Sequence, residues 1–155
     1  MKIQFMRAAI RLAHDKMRRG DGGPFGAVVV RRDKIVGRGW NRVTSTNDPT
    51  AHAEVTAIRD ACRRLKTFQL DDCEIYASCE PCPMCLAAIY WARIGKIFHA
   101  GARRDAAAAG FDDDLIYREL ARPVSRRKIP MRQLLRSEGL RVFKKWRDKP
   151  DKVRY

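Results

Sequence analysis

Two short stretches of the chain carry side chains that bind metal, and the fold has to bring them together. His52-Ala53-Glu54 offers an imidazole and a carboxylate, and Pro81-Cys82-Pro83-Met84-Cys85 offers two thiols. Histidine nitrogen and cysteine sulfur are ligands that zinc prefers. Three such ligands leave a fourth position open for water, whose pKa zinc lowers toward neutrality. This pattern is typical of a catalytic zinc site and not of a closed structural one.

Each stretch lies where a helix is predicted to begin. Apolar residues between 51 and 65 recur at helical spacing. On an ideal helix His52 and Glu54 point about 200° apart, so both can serve one site only in the first turn. Prolines before and after Cys82 mark the start of a second helix. Cys82 and Cys85 share one face at its N-terminus, where the helix dipole favours thiolates.

Weaker interpretations of the same residues exist. A single C-x-x-C motif is a weak signal, and a lone buried histidine is more often structural than a ligand. Cys79 precedes Cys82 by the same spacing and could complete a four-ligand site. We favour three ligands because Cys79 ends a predicted strand and should point elsewhere. H-x-E followed about thirty residues later by P-C-x-x-C is far more specific, and it is the signature of zinc-dependent nucleobase deaminases.

With these motifs the chain resembles the cytidine-deaminase-like superfamily. Within it the chain is most similar to the bacterial guanine deaminases, and more distantly similar to the tRNA-adenosine deaminases. The similarity runs nearly end to end, through residues 22–27, 47–55, 78–85, 89–93 and 109–113, to the terminal Tyr155. The metal motif indicates only the superfamily. The Phe-Asp-Asp segment at 111–113 and the terminal tyrosine favour the guanine branch.

The resemblance implies a reaction, which is zinc-dependent hydrolytic deamination of guanine to xanthine and ammonia. In this family zinc would be held by His52, Cys82 and Cys85. Glu54 is not a ligand; it would take a proton from the attacking water and pass it to the ring nitrogen and the leaving amine. A tRNA-specific adenosine deaminase shares this apparatus and is the main alternative. Deaminases of guanosine, cytosine or an aminotriazine are further alternatives.

The resemblance also implies contacts with the purine. The residues concerned are Phe25, Asn41, Ala53, Trp91, Asp113 and Tyr155. Phe25 suits a packing wall, and the Asn41 amide can both donate and accept at a purine edge; the alternatives are a core aromatic residue and a turn residue. Guanine has adjacent N–H donors that adenine lacks, which suits an acceptor such as Asp113. Asp112 competes for this role, and both residues could merely cap the following helix.

The order of predicted elements indicates an α/β fold. A helix at 2–19 precedes strands at 25–31 and 35–41, a helix at 51–65, a strand at 73–78, a helix at 83–92 and a strand at 96–100. The first two strands form a hairpin, and the last two are parallel because a helix connects them. We therefore expect a three-layer α/β/α sandwich with a mixed central sheet. Further helical segments are expected at 115–121 and 129–136, and an amphipathic segment is expected at 140–146.

The length of 155 residues suits one deaminase domain over residues 1–155. The resemblance implies a homodimer that exchanges residues 140–155, so that Tyr155 covers the pocket of the other subunit. The sequence has no apolar run of ~18–20 residues and no signal peptide. Five cysteines, two of them assigned to metal, fit a reducing compartment. We expect a cytoplasmic protein without membrane association.

The net charge of +15 raises the question of an RNA partner. It arises from 33 lysine and arginine residues against 18 acidic ones, and phosphate contacts by such residues supply most non-specific affinity for nucleic acids. The basic residues are scattered along the chain and form no obvious stripe. This distribution favours a solvated surface over a nucleic-acid groove, and a small purine over RNA.

Overall fold

The computed structural model describes residues 2–154, which divide after Asp113 into two compact units. The first unit contains the helices α1 (Ile3–Arg18), α2 (Val43–Thr46), α3 (Ala53–Leu65), α4 (Pro83–Trp91) and α5 (Arg103–Ala108), and the strands β1 (Gly26–Arg31), β2 (Lys34–Trp40), β3 (Cys73–Cys79) and β4 (Lys96–Gly101). The second contains α6 (Asp114–Ala121), a short 3₁₀ helix (Val124–Arg126) and α7 (Arg136–Asp148). Within 2–154, no helix has the length and apolar character that crossing a bilayer requires.

The four strands form one mixed sheet in the order β2-β1-β3-β4. Strand β1 pairs antiparallel with β2 and with β3, whereas β3 and β4 are parallel, with Ile75 opposite Ile97. The parallel pair is connected through α4, as a crossover requires. The predicted mixed sheet is confirmed.

Alternating side chains on the strands create two apolar layers, one on each face of the sheet. The cluster on the face covered by α3 and α4 includes Ala27, Val29, Ala57, Ile75 and Ile89. The cluster on the face covered by α1 includes Phe5, Ala9, Val28, Val30 and Tyr76. Successive strand residues point to opposite faces, so one strand contributes to both clusters. The three-layer α/β/α arrangement is therefore confirmed.

The second unit differs from the prediction in one element. The helix expected at 129–136 is wrong, because residues 127–135 are not helical and α7 begins only at Arg136. Pro130 accounts for this, since proline lacks the N–H of a helical hydrogen bond and disfavours a helical residue before it. Within the described part of this unit no helix has a buried side chain. The single domain over 1–155 with an exchanged segment at 140–155 stays a prediction.

Two glycines of β2 allow α3 to lie directly on the strand. A Cβ atom at Gly39 would lie 2.1 Å from the Ala53 carbonyl oxygen and 2.3 Å from the Ala57 nitrogen. One at Gly37 would lie 2.4 Å from the Ala57 carbonyl oxygen. Packed interiors have no room for such contacts, so any larger residue would have to displace the helix. Since α3 begins directly after His52, these glycines also determine where the predicted metal ligand lies.

We expect Gly39→Ala to lower the free energy of unfolding by roughly 1–3 kcal/mol, the usual cost of overpacking a core. Urea denaturation measures this change. Gly139→Ala in α7 is the control, because its added Cβ meets no atom within 4 Å; it should be neutral or stabilising by about 0.5–1 kcal/mol. Equal stabilities for Gly39→Ala and the wild type would contradict the packing described for α3.

Candidate active site

The two sequence stretches meet at the N-termini of two helices. His52 is the N-cap residue of α3, and Cys82 is the N-cap residue of α4, with Pro83 in the first helical position. Strand β3 ends at Cys79, so the short segment between this strand and α4 supplies the first thiol. Both helices begin at the site, and their N-termini carry partial positive charge that stabilises thiolates.

The three candidate ligands have the spacing of a zinc site. The Nδ1 atom of His52 lies 3.5 Å from the Sγ atoms of both Cys82 and Cys85, and the three ligand atoms all lie within 4.8 Å of one another. Zinc bonds of about 2.3 Å to sulfur and about 2.0 Å to nitrogen, at a tetrahedral angle, place the nitrogen and a sulfur about 3.5 Å apart. The donor set and its geometry therefore fit zinc.

The thiols titrate as a coupled pair in the protein without metal. The pKa of Cys82 is lowered to about 4, first because Cys85 donates a hydrogen bond to its sulfur and also because of His52. The same hydrogen bond, together with burial, raises the pKa of Cys85. The hydrogen bond with Cys82 raises the pKa of His52. One thiolate thus forms in the protein alone, and a bound cation would supply the charge that stabilises a second.

Glu54 lies beside the ligands in the first turn of α3. Its carboxylate is buried, with the residue only 7% exposed, and Oε2 lies 3.3 Å from the Sγ atom of Cys85. Burial raises the pKa of this carboxyl group. A buried carboxylate with a raised pKa, adjacent to a metal site, is suited to accepting and returning protons near neutral pH.

Cys79 does not join the group of ligands. Its Sγ donates a hydrogen bond to the carbonyl oxygen of Ala102 at 3.6 Å, and the metal-binding group found within residues 2–154 consists of His52, Cys82 and Cys85. Burial raises the pKa of the Cys79 thiol. The structure thus brings three candidate ligands together and places the Cys79 thiol in a separate hydrogen bond.

Phe25 and Asn41 lie side by side where β1 begins and β2 ends. The Asn41 N–H donates to the Phe25 carbonyl oxygen at 3.0 Å, and the Phe25 ring meets Phe111 edge to face at 4.9 Å. Asn41 is buried, and its Oδ1 accepts hydrogen bonds from the N–H groups of Gly23 and Val43 at 3.4 and 3.2 Å. The amide oxygen thus already accepts two hydrogen bonds from the protein. The amide NH₂ is therefore the group that Asn41 can offer to a ligand.

Asp113 ends the first unit with an unusual carboxylate. Its Oδ1 atom is buried and has no hydrogen-bond partner within the described chain, while Arg103 Nε lies 3.7 Å away. Burial raises the pKa of Asp113, Arg103 opposes this, and the negative charge of Cys82 adds to it. The influence of Cys82 places Asp113 within electrostatic reach of the metal ligands. No sequence motif distinguishes Arg103, which is one of 33 lysine and arginine residues.

Three more residues are predicted to contact the purine: Ala53, Trp91 and Tyr155. Ala53 is the buried first residue of α3, between His52 and Glu54. Trp91 ends α4 and is 68% exposed. Trp91 lies six residues after Cys85, about 9 Å further along the helix, and its contact with the purine stays a prediction. Tyr155 lies outside the described residues.

Comparison with known proteins identifies the family. The sequence model described as "Cytidine and deoxycytidylate deaminase zinc-binding region" matches residues 1–100. The chain belongs to this deaminase family. The deaminase is 53% identical over 151 residues to the guanine deaminase of Bacillus subtilis (strain 168), with 97% of both chains covered. A crystal structure of guanine deaminase from Bacillus subtilis matches with a TM-score of 0.97 and 52% identity, covering 100% of this chain and 99% of that one.

Other relatives share a smaller part of the deaminase. A tRNA-specific adenosine deaminase of Aquifex aeolicus (strain VF5) is 43% identical over 96 residues, which is 62% of this chain and 63% of the relative. A structure of guanine deaminase from Nitrosomonas europaea has a TM-score of 0.67 and 34% identity, covering 70% of this chain and 63% of that one. These matches confirm the resemblance inferred from the motifs.

The choice of ligands can be tested by metal content. We expect Cys82→Ser to lose most of its bound zinc, because a thiolate ligand is replaced by a weakly acidic hydroxyl group. Cys79→Ser makes the same change three residues earlier and should retain about one zinc per chain, as three protein ligands suffice in a catalytic site. Elemental analysis of the purified proteins measures both. Zinc loss in Cys79→Ser as complete as in Cys82→Ser would restore the four-ligand alternative.

Proposed function

We propose that this deaminase converts guanine and water to xanthine and ammonia with zinc as its cofactor. One observation carries the proposal: the buried Glu54 carboxylate lies beside His52, Cys82 and Cys85 in a chain that is similar over 97% of its length to a guanine deaminase. The substrate is then a small purine. We also propose that the protein is cytoplasmic, as its sequence leads us to expect.

The three ligands would hold zinc at the start of α3 and α4. When bound there, zinc supplies a Lewis acid that lowers the pKa of water to about 7. Both thiols have to be ionised for this role, and the helix N-termini favour that state. Glu54 is left outside the ligand set by its position, which makes it available for proton transfer.

Glu54 performs the proton transfers. Guanine carries its amino group on C2, and the oxygen of water adds to this carbon as Glu54 accepts one proton of the water. The protonated carboxyl group returns this proton to ring nitrogen N3. Glu54 then takes the second proton of the original water and delivers it to the amine, so that ammonia leaves and a C2 carbonyl remains. Burial suits Glu54 to both halves of this cycle because its raised pKa eases the return of each proton.

The remaining residues hold the purine. Phe25 provides an aromatic wall for the planar base. The Asn41 amide, with its oxygen committed to Gly23 and Val43, offers N–H donors to acceptors on the purine. Asp113 accepts from the N–H edge of guanine, and its half-buried position favours it over the exposed Asp112. The buried backbone at Ala53 fixes the spacing between His52 and Glu54.

We also infer a homodimer that exchanges residues 140–155. Val142 and Phe143 of α7 are 67% and 71% exposed in a single chain, and covering apolar surface is worth roughly 25 cal/mol per Å². A second subunit would provide this cover, and exchange would let Tyr155 close the pocket of the other subunit, as the resemblance implies. Apolar side chains exposed in this way are common at interfaces when they form a contiguous patch.

Removing the tail tests its role. We expect a chain ending at Lys149 to lose guanine turnover while keeping its zinc, because the ligands lie far earlier in the sequence. Light scattering reports the mass of the wild type and the truncated chain in solution. Full activity of the truncated chain, or a monomeric wild type with full activity, would contradict the exchange.

A tRNA-specific adenosine deaminase is the second candidate. The charge of +15 and the 43% identity to the Aquifex aeolicus enzyme favour it. Against it, that similarity covers 62% of the chain, whereas the similarity to guanine deaminase covers 97%. An acceptor at Asp113 also suits guanine better than adenine, which lacks an N–H at N1.

Glu54→Gln tests the proposed chemistry directly. We expect this variant to bind zinc as the wild type does, while kcat for guanine falls by about 10²–10⁴, the usual contribution of general acid–base catalysis. Ammonia release and zinc content are the two measurements. Glu74→Gln is the matched control, since Glu74 accepts a hydrogen bond from Tyr76 on β3 and lies outside the metal-binding group found within residues 2–154. Zinc loss in Glu54→Gln would mean that Glu54 is a ligand.

A further inference from the structure

We propose that Arg103 is a positioning residue for the purine. It holds the Asp113 carboxylate with Oδ1 turned into the protein, so that Oδ2 faces the N–H edge of the substrate. The inference rests on the proposed guanine deamination and deepens it. Arg103 itself makes no contact with the reacting atoms in this scheme and acts through Asp113.

The geometry separates the two oxygens of Asp113. Arg103 Nε lies 3.7 Å from Oδ1, beyond the range of about 2.7–3.2 Å for an N–H···O hydrogen bond. Nε therefore supplies positive charge without occupying a lone pair. Oδ1 is buried, yet the side chain is 18% exposed. The exposed part of this side chain therefore excludes Oδ1, and in our proposal Oδ2 is the oxygen that meets the substrate.

Hydrogen bonds join Arg103 to the loop that carries the metal ligands. The Arg103 N–H donates to Oε2 of Glu80 at 2.9 Å, and the Glu80 N–H donates to the Gly101 carbonyl oxygen at 2.9 Å. Glu80 precedes Cys82 by two residues, and Cys79 bonds the carbonyl oxygen of Ala102. Residues 101–103, at the start of α5, are thus hydrogen-bonded to Cys79 and Glu80, which lead into Cys82. These bonds fix the backbone of Arg103 relative to the ligands.

The charges around Asp113 explain why a cation is needed there. Burial disfavours the ionised carboxylate of Asp113 and raises its pKa, and the negative charge of the neighbouring Asp112 adds to this effect. Arg103 is the positive group that opposes both. Only an ionised carboxylate accepts at both oxygens, whereas a protonated acid would place a donor against the donors of guanine. Arg103 therefore keeps the carboxylate in the form that recognises this purine.

The test measures steady-state kinetics with guanine. We expect Arg103→Gln to raise KM roughly tenfold to a hundredfold, the range for a weakened bond to a charged group, with kcat and zinc content within about threefold of wild type. Arg103→Lys restores the charge and should recover most of KM. The control is Arg104→Gln, because Arg104 is 90% exposed and lies 4.0 Å from Asp105; its KM should not change.

A double-mutant cycle shows whether Arg103 acts through Asp113. Asp113→Asn should raise KM, and adding Arg103→Gln should raise it no further, since the two residues belong to one interaction. Additive effects would overturn the inference, as would an unchanged KM in Arg103→Gln or an Arg103→Lys variant as impaired as Arg103→Gln. Wild-type turnover is measured first. Its absence would overturn the proposed guanine deamination, whereas turnover with a normal KM in Arg103→Gln overturns only the role of Arg103.

Discussion

The site depends on the contact between one imidazole and two thiols at the start of two helices. His52 Nδ1 lies 3.5 Å from both sulfur atoms, and this close approach requires α3 and α4 to begin at the same point beside the sheet. Helix α3 reaches it because Gly37 and Gly39 let the helix lie directly on β2. Helix α4 reaches it because the connection between two parallel strands has to cross the sheet there. The packing of the core therefore determines the metal geometry.

Local patterns explain which parts of this arrangement could be predicted. The ligands His52, Cys82 and Cys85 lie in motifs whose spacing carries the chemistry, and the order of the predicted helices and strands indicates the layers. Contacts between residues that are far apart in the sequence are not marked by any such local pattern. The pairing of Arg103 with Asp113 depends on how α5 is attached to the metal loop. The Asn41 side-chain oxygen accepts its hydrogen bonds from the N–H groups of two other residues, Gly23 and Val43. The helix expected at 129–136 does not form, because Pro130 lacks the N–H of a helical hydrogen bond and disfavours a helical residue before it.

The metal centre and the substrate contacts pose separate problems. His52, Cys82, Cys85 and Glu54 can activate water toward many amino-bearing bases, so they determine the reaction class and leave the substrate open. We propose that the groups around the metal ligands select the substrate, with donors from Asn41 and an acceptor from Asp113. This donor and acceptor pattern is what separates guanine from adenine in the present scheme. The basic surface lies outside these contacts, which is why the charge of +15 is compatible with a small neutral substrate.

The most direct measurement is ammonia release by the zinc-loaded protein from guanine, with guanosine, adenine, cytosine and a tRNA carrying a wobble adenosine assayed in parallel at equal ionic strength. We expect guanine to be deaminated with the highest kcat/KM, and adenine and the tRNA to release no ammonia above background. Release from the tRNA with none from guanine would contradict the central claim. It would mean that the basic surface, and not the carboxylate of Asp113, selects the substrate.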